Sequence, residues 1–285
     1  MTDPARVPVC LSIAGSDSGG GAGIQADLKA FARCGVHGTT AITALTAQNT
    51  VAVARVLPVP PDMVTAQVEA VASDLPIAAV KIGMVGGAPV IEAVAAALDA
   101  LPGRPPVVLD PVMVAESGGR LLEADAEQAL RELLLPRATV VTPNVPEARV
   151  LAGPEAGELD GADLARAVRD AGARAVVLTG GHREHATDVL LHDDAVLEIP
   201  GRRHPDGAAH GSGCTHSSAL AAHLALGFTL SEAARAARAI AADAVLHGHR
   251  HLGAGAGPVN VLGVGYGDVH AVAASGRLGE APAPA

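Results

Sequence analysis

The run Gly211-Ser212-Gly213-Cys214 combines residue types that can bind an anion and move a proton. It stands directly before an Ala/Leu-rich helical pattern that begins near Thr215. Glycines at a helix start let the chain turn tightly, so that the first N–H groups and the helix dipole attract an anion. A cysteine in that first turn is expected to have a lowered pKa, which makes its thiolate accessible near neutral pH. Taken alone, such a run is more often a glycine-rich turn before a buried structural cysteine.

A second glycine-rich run extends from Ala14 to Gly23 and leads into a helical pattern that contains Asp27. The order of its glycines does not match a dinucleotide-binding fingerprint. Gly15 and the glycines after it let the backbone approach a ligand closely, with Asp27 one helical turn further on. A plain turn with a solvated Asp27 fits the same run equally well.

Other polar or polarisable side chains also follow apolar runs. The Gln48 amide offers a donor and an acceptor together, which suits a heterocycle that presents the complementary pair. Met84 could pack against a flat ring, although a core methionine is the commoner explanation. Asp110 places a carboxylate at the end of a predicted strand. Asn144 and Glu147 are three residues apart in an incipient helix, so they can share one hard cation or cap that helix.

The elements that must position these residues are short apolar strands that alternate with helical patterns. Such alternation predicts an α/β fold with a mainly parallel sheet covered on both faces, in which ligands bind beyond the carboxyl ends of the strands. We expect a single domain over residues 1–263 and a flexible Gly/Ala/Pro-rich tail over residues 264–285. The predicted main strands are Val7–Ile13, Thr39–Leu45, Ala79–Ile82, Val107–Leu109, Thr139–Val141 and Ala175–Leu178.

Composition excludes several classes of function. The chain of 285 residues has a net charge of −10, one Tyr, two Phe and no Trp, which argues against a nucleic-acid partner. No apolar run approaches membrane-spanning length, and three cysteines without metal-type spacing indicate neither a disulfide framework nor a zinc site. Because neither Lys29 nor Lys81 follows a glycine, a P-loop is excluded. A cytoplasmic protein is the default expectation.

The motifs together resemble the bacterial hydroxymethylpyrimidine/phosphomethylpyrimidine kinases of thiamine biosynthesis, members of the ribokinase-like superfamily. The resemblance runs from about Val9 to Val259. It implies a ribokinase-like three-layer α/β/α sandwich, ATP and Mg²⁺ as cofactors, a small pyrimidine substrate and a homodimer. The motifs that carry it are AGSDSGGGAGIQADLKAF, ITALTAQNT, KIGM, LDPVM, VTPNVPEA, GGH and HGSGCTHSSALAA.

The resemblance also implies roles for the residues named above. Cys214 stands where the superfamily has its catalytic base, and Gly211, Ser212 and Gly213 would form the anion hole for the transferred phosphoryl group. The remaining roles fall into three sets. Substrate would contact Gln48, Met84, Asp27 and Gly15; nucleotide would contact Thr142, Gly181 and His210; the metal would be held at Asp110, Asn144 and Glu147.

Two departures from the family pattern remove positive charge near the expected phosphates. The family commonly has lysine where this chain has Glu116 and Thr179. ATP binding or the second phosphorylation could be weakened, unless Arg120 or Arg183 compensates. The missing lysines keep a non-catalytic ligand-binding or regulatory protein on a kinase fold as an alternative of another class. Pyridoxal kinase is kept as an alternative enzyme, because its substrate is a similar heterocyclic alcohol and the resemblance implies the same fold.

Overall fold

A computed structural model describes residues 7–113, 122, 124–180, 186–205 and 207–265. In these ranges the strands form one sheet in the order β3-β2-β1-β4-β5-β6-β7-β8-β9. The six strands from β2 to β7 in that order are parallel, whereas β3, β8 and β9 pair antiparallel with a neighbour. The strands are β1 Val9–Asp17, β2 His37–Gln48, β3 Val53–Pro58, β4 Ile77–Ile82, β5 Val107–Leu109, β6 Val140–Val141, β7 Val176–Leu178, β8 Asp188–His192 and β9 Ala195–Ile199.

Helices cover both faces of this sheet. One apolar cluster buries α2 to α6 against it, and a second buries α1, α7 and α8 against the other face. The three-layer α/β/α sandwich with a mainly parallel sheet is therefore confirmed. The helices are α1 Gly23–Arg33, α2 Pro61–Asp74, α3 Ala88–Ala100, α4 Ala124–Ala129, α5 Val145–Ala152, α6 Gly161–Asp170, α7 Ser212–Ala225 and α8 Leu230–Leu246.

Small side chains let two of these helices pack closely. The contact between α7 and α8 is lined by buried alanines such as Ala219, Ala222, Ala233 and Ala237. Because alanine has no rotamers to lose and the highest helix propensity, it is well suited to such a contact. The close packing holds the start of α7 rigidly against the ends of β1, β4 and β5.

Several boundaries differ from those predicted. β1 continues to Asp17, so Gly15 lies on a strand rather than in the turn, which starts only at Ser18. α7 begins at Ser212, which places Cys214 in its first turn. β3 was not predicted, because it is an exposed edge strand with almost no buried side chain to reveal it. In the described ranges, no helix has the length and apolar character that a membrane span requires.

Candidate active site

A cleft of about 440 Å³ opens at the carboxyl edge of the parallel strands. It brings together residues that follow β1, β2, β4, β5 and β6 with the first turn of α7. The predicted residues that line it are Gly15, Gln48, Met84, Asp110, Thr142, Asn144, Glu147, His210, Gly211, Ser212, Gly213 and Cys214. Gly181 lies outside the described residues, as does Glu116.

The start of α7 has the backbone geometry of an anion site. Gly211 adopts a left-handed conformation with φ of +87°, and a Cβ built there would lie 1.8 Å from the carbonyl oxygen of Gly21. Only glycine fits this position. The first N–H that bonds back to the helix start is that of Thr215, which donates to the Gly211 carbonyl at 2.9 Å. The N–H groups of Gly213 and Cys214 precede it and therefore lack an intrahelical acceptor.

The thiol of Cys214 is not activated in the way the sequence predicted. Burial, together with the carboxylates of Asp27 and Asp110, raises its pKa to about 12, although Lys81 and the N–H of Gly23 act in the opposite direction. The prediction of a lowered pKa is wrong, because desolvation and two buried carboxylates outweigh the groups that favour the thiolate. At neutral pH Cys214 is a thiol.

Lys81 is the main residue of the cleft to which the sequence analysis gave no role. Its side chain is fully buried in the cleft floor, and Nζ lies 2.9 Å from Asp27 Oδ1 and 3.9 Å from Asp110 Oδ2. Burial lowers the pKa of Lys81, but Asp27, Cys214 and Asp110 raise it by more, so the ammonium stays charged. A signal existed in the sequence, because a lysine inside an apolar strand must find a carboxylate partner.

Asp27 lies beneath the floor rather than in the cleft. Its carboxylate accepts hydrogen bonds from Lys81 and from the hydroxyls of Ser12 at 2.6 Å and Ser218 at 2.7 Å. It is completely buried. The predicted contact between Asp27 and substrate does not fit this position; Asp27 instead holds Lys81 in place.

Asn144 and Glu147 form the helix cap that was the alternative to a metal site. The Asn144 N–H donates to Glu147 Oε2, and the Glu147 N–H donates to Asn144 Oδ1, both at 2.9 Å. Burial, together with the carboxylate of Asp110, raises the pKa of Glu147 to about 8, although the hydrogen bonds from Asn144 act in the opposite direction. The carboxylates of Asp110 and Glu147 repel each other when both are ionised, and a hard divalent cation bound by both would relieve that repulsion.

The opposite wall of the cleft carries the residues predicted to bind a heterocycle. A Cβ on Gly15 would lie 2.3 Å from Met84 Cε, so the methionine packs directly on the glycine backbone. Gln48 Oε1 accepts a hydrogen bond from Thr46 Oγ1 at 3.2 Å. The Gln48 Nε2 has no hydrogen-bond partner among the described residues and can donate to a ligand.

Thr142 and His210 were both predicted to contact a nucleotide. Thr142 is buried, and its hydroxyl donates to the carbonyl of Leu109 at 3.5 Å. His210 Nε2 lies 3.1 Å from Asp17 Oδ2, and both side chains are nearly buried. At the cleft mouth, Arg202 and Arg203 add positive charge.

Comparison with known proteins identifies the family. A family model described as phosphomethylpyrimidine kinase matches residues 17–260. The chain belongs to the phosphomethylpyrimidine kinase family. Within this family, the hydroxymethylpyrimidine/phosphomethylpyrimidine kinase of Rhizobium meliloti (strain 1021) is 49% identical over 258 residues, which are 88% of this chain and 96% of that protein. The family predicted from the motifs is confirmed, and the chain is a kinase.

Solved structures of pyridoxal kinases share the fold of this phosphomethylpyrimidine kinase family member. An ADP complex of Bacillus subtilis pyridoxal kinase is 36% identical, with a TM-score of 0.81 over 90% of this chain and 97% of that chain. Staphylococcus aureus pyridoxal kinase in complex with AMP-PCP and pyridoxal is 31% identical, with a TM-score of 0.80 over 90% and 94% of the two chains. The fold is therefore ribokinase-like, as predicted.

Proposed function

We propose that this kinase uses ATP to phosphorylate 4-amino-5-hydroxymethyl-2-methylpyrimidine and then phosphorylates the resulting monophosphate to the diphosphate, in thiamine biosynthesis. The observation that carries the proposal is the convergence, in one cleft, of an amide-bearing wall at Gln48 and Met84 with the N-terminus of α7. Relatives named for both phosphorylations cover nearly the whole chain.

The wall at Gln48 and Met84 would position the pyrimidine, and the start of α7 would position the phosphoryl group. Gln48 would pair with the amino group or a ring nitrogen of the pyrimidine, and Met84 would lie against its face. The free N–H groups of Gly213 and Cys214 would receive the transferred phosphoryl group. Phosphoryl transfer depends mostly on such placement and on charge stabilisation, so little covalent chemistry is required of the protein.

A thiol with a pKa of about 12 is a poor resting base for the substrate hydroxyl. We therefore assign Cys214 the role of orienting the hydroxyl. A neutral thiol cannot accept the hydroxyl proton, which would pass to an oxygen of the transferred phosphoryl group or to solvent as charge develops during transfer. The second acceptor is a phosphate oxygen, which is already largely ionised at neutral pH and needs less help.

Asp110 and Glu147 are the residues that would hold Mg²⁺, with Asn144 keeping Glu147 in place. When bound, the cation would neutralise charge on the leaving ADP. Thr179 stands where the family commonly has lysine, and its hydroxyl donates to the Pro143 carbonyl at 3.3 Å. Arg202 and Arg203 at the cleft mouth would supply positive charge that Thr179 does not.

Pyridoxal kinase is the second candidate, because the solved pyridoxal kinases match this fold over nine-tenths of the chain. A coupled assay of ADP release decides between the candidates when the pyrimidine alcohol, its monophosphate and pyridoxal are compared side by side. We expect kcat/KM to be highest for the two pyrimidines. Higher kcat/KM for pyridoxal would favour the second candidate. If no ADP is released with any of the three substrates, a non-catalytic role would be favoured.

A further inference from the structure

The two glycine-rich turns of the cleft touch each other, at one point through the His210 ring and at another through backbone alone. A Cβ on Gly21 would lie 2.2 Å from His210 Cδ2, and a Cβ on Gly211 would lie 1.8 Å from the Gly21 carbonyl oxygen. No side chain fits between the turns at these points. The first turn follows the strand that supports Met84, and the second leads into the anion site at the start of α7.

Asp17 shapes the first of these turns. Its Oδ1 accepts a hydrogen bond from the N–H of Gly19 at 2.8 Å, and its Oδ2 accepts from Gly21 at 3.0 Å and Ala22 at 2.9 Å. Burial alone would raise the pKa of Asp17, but the hydrogen bonds from His210, Ala22 and Gly19 lower it below its usual value. The carboxylate is therefore ionised and committed to the turn.

His210 connects this carboxylate to the second turn. Its Nε2 lies 3.1 Å from Asp17 Oδ2, and the two side chains are only 10% and 3% exposed. The backbone of His210 is itself fixed, because its N–H donates to the Gly257 carbonyl at 3.3 Å and its carbonyl accepts from the Val259 N–H at 3.0 Å. One buried carboxylate thus holds both turns at a set separation.

The distance between the two turns also sets the distance between the proposed heterocycle site and the proposed anion site. Gly15, two residues before Asp17, carries the Met84 wall, and Gly211, directly after His210, begins the anion site. Any change in the spacing of the turns changes the distance between the acceptor oxygen and the transferred phosphoryl group.

We propose that Asp17 and His210 are positioning residues that fix the anion site relative to the heterocycle wall, so that His210 serves catalysis without touching the nucleotide. The inference rests on the proposed phosphoryl transfer but does not depend on which alcohol is the acceptor. Misplacement of reacting groups by about 1 Å can cost about 10²-fold in rate. The pair therefore acts on kcat rather than on binding.

The test compares His210→Ala and His210→Gln with the wild-type protein, using the alcohol that the wild type phosphorylates fastest. Glutamine keeps an Nε2 donor that can reach Asp17, whereas alanine does not. We expect kcat to fall by about 10²-fold in His210→Ala, with the KM for ATP and for the alcohol changed by less than about threefold, and to recover at least about tenfold in His210→Gln. His223→Ala is the matched control, since the His223 ring contacts the Ala219 carbonyl of its own helix and the ring of Phe228, and His223 does not line the cleft.

Three results would overturn the assignment. One is a kcat of His210→Ala within about twofold of the wild type. Another is a raised KM for ATP with kcat unchanged, which would indicate direct nucleotide contact. The third is a glutamine variant as slow as the alanine variant, although circular dichroism shows both to be folded.

A wild-type protein that phosphorylates no alcohol would contradict the proposed function instead. Hydrogen–deuterium exchange then tests, without any activity measurement, whether Asp17 and His210 link the two turns. The amides of Gly19, Gly21 and Ala22 should exchange faster in His210→Ala than in His210→Gln. Equal exchange in the two variants would refute the link between the turns.

Discussion

Replacing Lys81 by methionine should destabilise the protein strongly, because it leaves a buried carboxylate without its cation. Lys81 and Asp27 are both fully buried and lie 2.9 Å apart, and the remaining partners of Asp27 are the neutral hydroxyls of Ser12 and Ser218. Removing one member of such a pair costs about 3–5 kcal/mol. We therefore expect Lys81→Met to lower the free energy of unfolding by that amount.

Removing the second member should restore much of the loss. In the double variant Lys81→Met/Asp27→Asn the carboxylate that bonds the ammonium is removed with it, and only the more distant Asp110 loses a facing cation, so the two substitutions should be non-additive by about 2–3 kcal/mol. Urea unfolding, monitored by circular dichroism, measures the unfolding free energies of Lys81→Met, Asp27→Asn and the double variant. Lys29→Met is the matched control, because Lys29 is half-buried and its ammonium donates to the Gly20 carbonyl and to no carboxylate among the described residues; it should cost about 1 kcal/mol or less.

The double variant also separates folding from chemistry. It should be folded yet slow, because Asp110 and Cys214 have lost the ammonium that faces them from the cleft floor. A loss below about 1 kcal/mol for Lys81→Met, or full additivity in the double variant, would refute the reasoning. Full activity in the double variant would show that Lys81 serves the fold alone.

Four further predictions concern the cleft. Gln48→Ala should weaken pyrimidine binding by about 1–3 kcal/mol, because it leaves a buried polar group of the ligand unpaired; an unchanged KM would place Gln48 outside the pocket. Glu147→Gln should lower activity and be partly rescued by added Mg²⁺, whereas a loss insensitive to Mg²⁺ would indicate that Glu147 acts only as a helix cap. Because the pKa of Cys214 is about 12 and only the thiolate reacts, its alkylation by iodoacetamide should accelerate about tenfold per pH unit between pH 8 and pH 10. A rate already constant above pH 7 would contradict this pKa. Because the pKa of Asp17 is lower in the folded than in the unfolded state, its stabilisation is fully present above the unfolded pKa and is lost as the pH falls through the folded value. Asp17→Asn should therefore lower the unfolding free energy at pH 7 but much less once the pH has fallen below the folded-state pKa of Asp17, which lies below the usual aspartate value, and a pH-independent loss would argue against the ionised carboxylate.

The sequence predicted the parts of this site that depend on local pattern. Glycines before an Ala-rich helical pattern predicted the start of α7. Polar residues after apolar runs predicted the edge of the cleft, because the carboxyl ends of parallel strands lie on the same side of a sheet. The Asn144/Glu147 cap was recognisable from its spacing of three. The family followed from the motifs, and the homodimer that the resemblance implies stays a prediction.

The parts that depend on packing could not be predicted. The pKa of Cys214 depends on burial and on Asp27 and Asp110, which are distant in sequence and meet the thiol only after α7 packs on the sheet. Asp27 was assigned to the substrate from the resemblance and from its place one helical turn after a glycine-rich run, but in the fold it pairs with Lys81 on β4 and is buried. The predicted tail, beyond residue 265, and Gly181 lie outside the described residues.

The central claim is that this cleft transfers phosphoryl groups from ATP to a pyrimidine alcohol in two successive steps. The most direct test is a ³¹P NMR time course of the wild-type protein with ATP, Mg²⁺ and 4-amino-5-hydroxymethyl-2-methylpyrimidine. We predict that the pyrimidine monophosphate signal rises first and then gives way to the diphosphate, with ADP formed at each step. ADP and inorganic phosphate without either phosphorylated pyrimidine would contradict the claim.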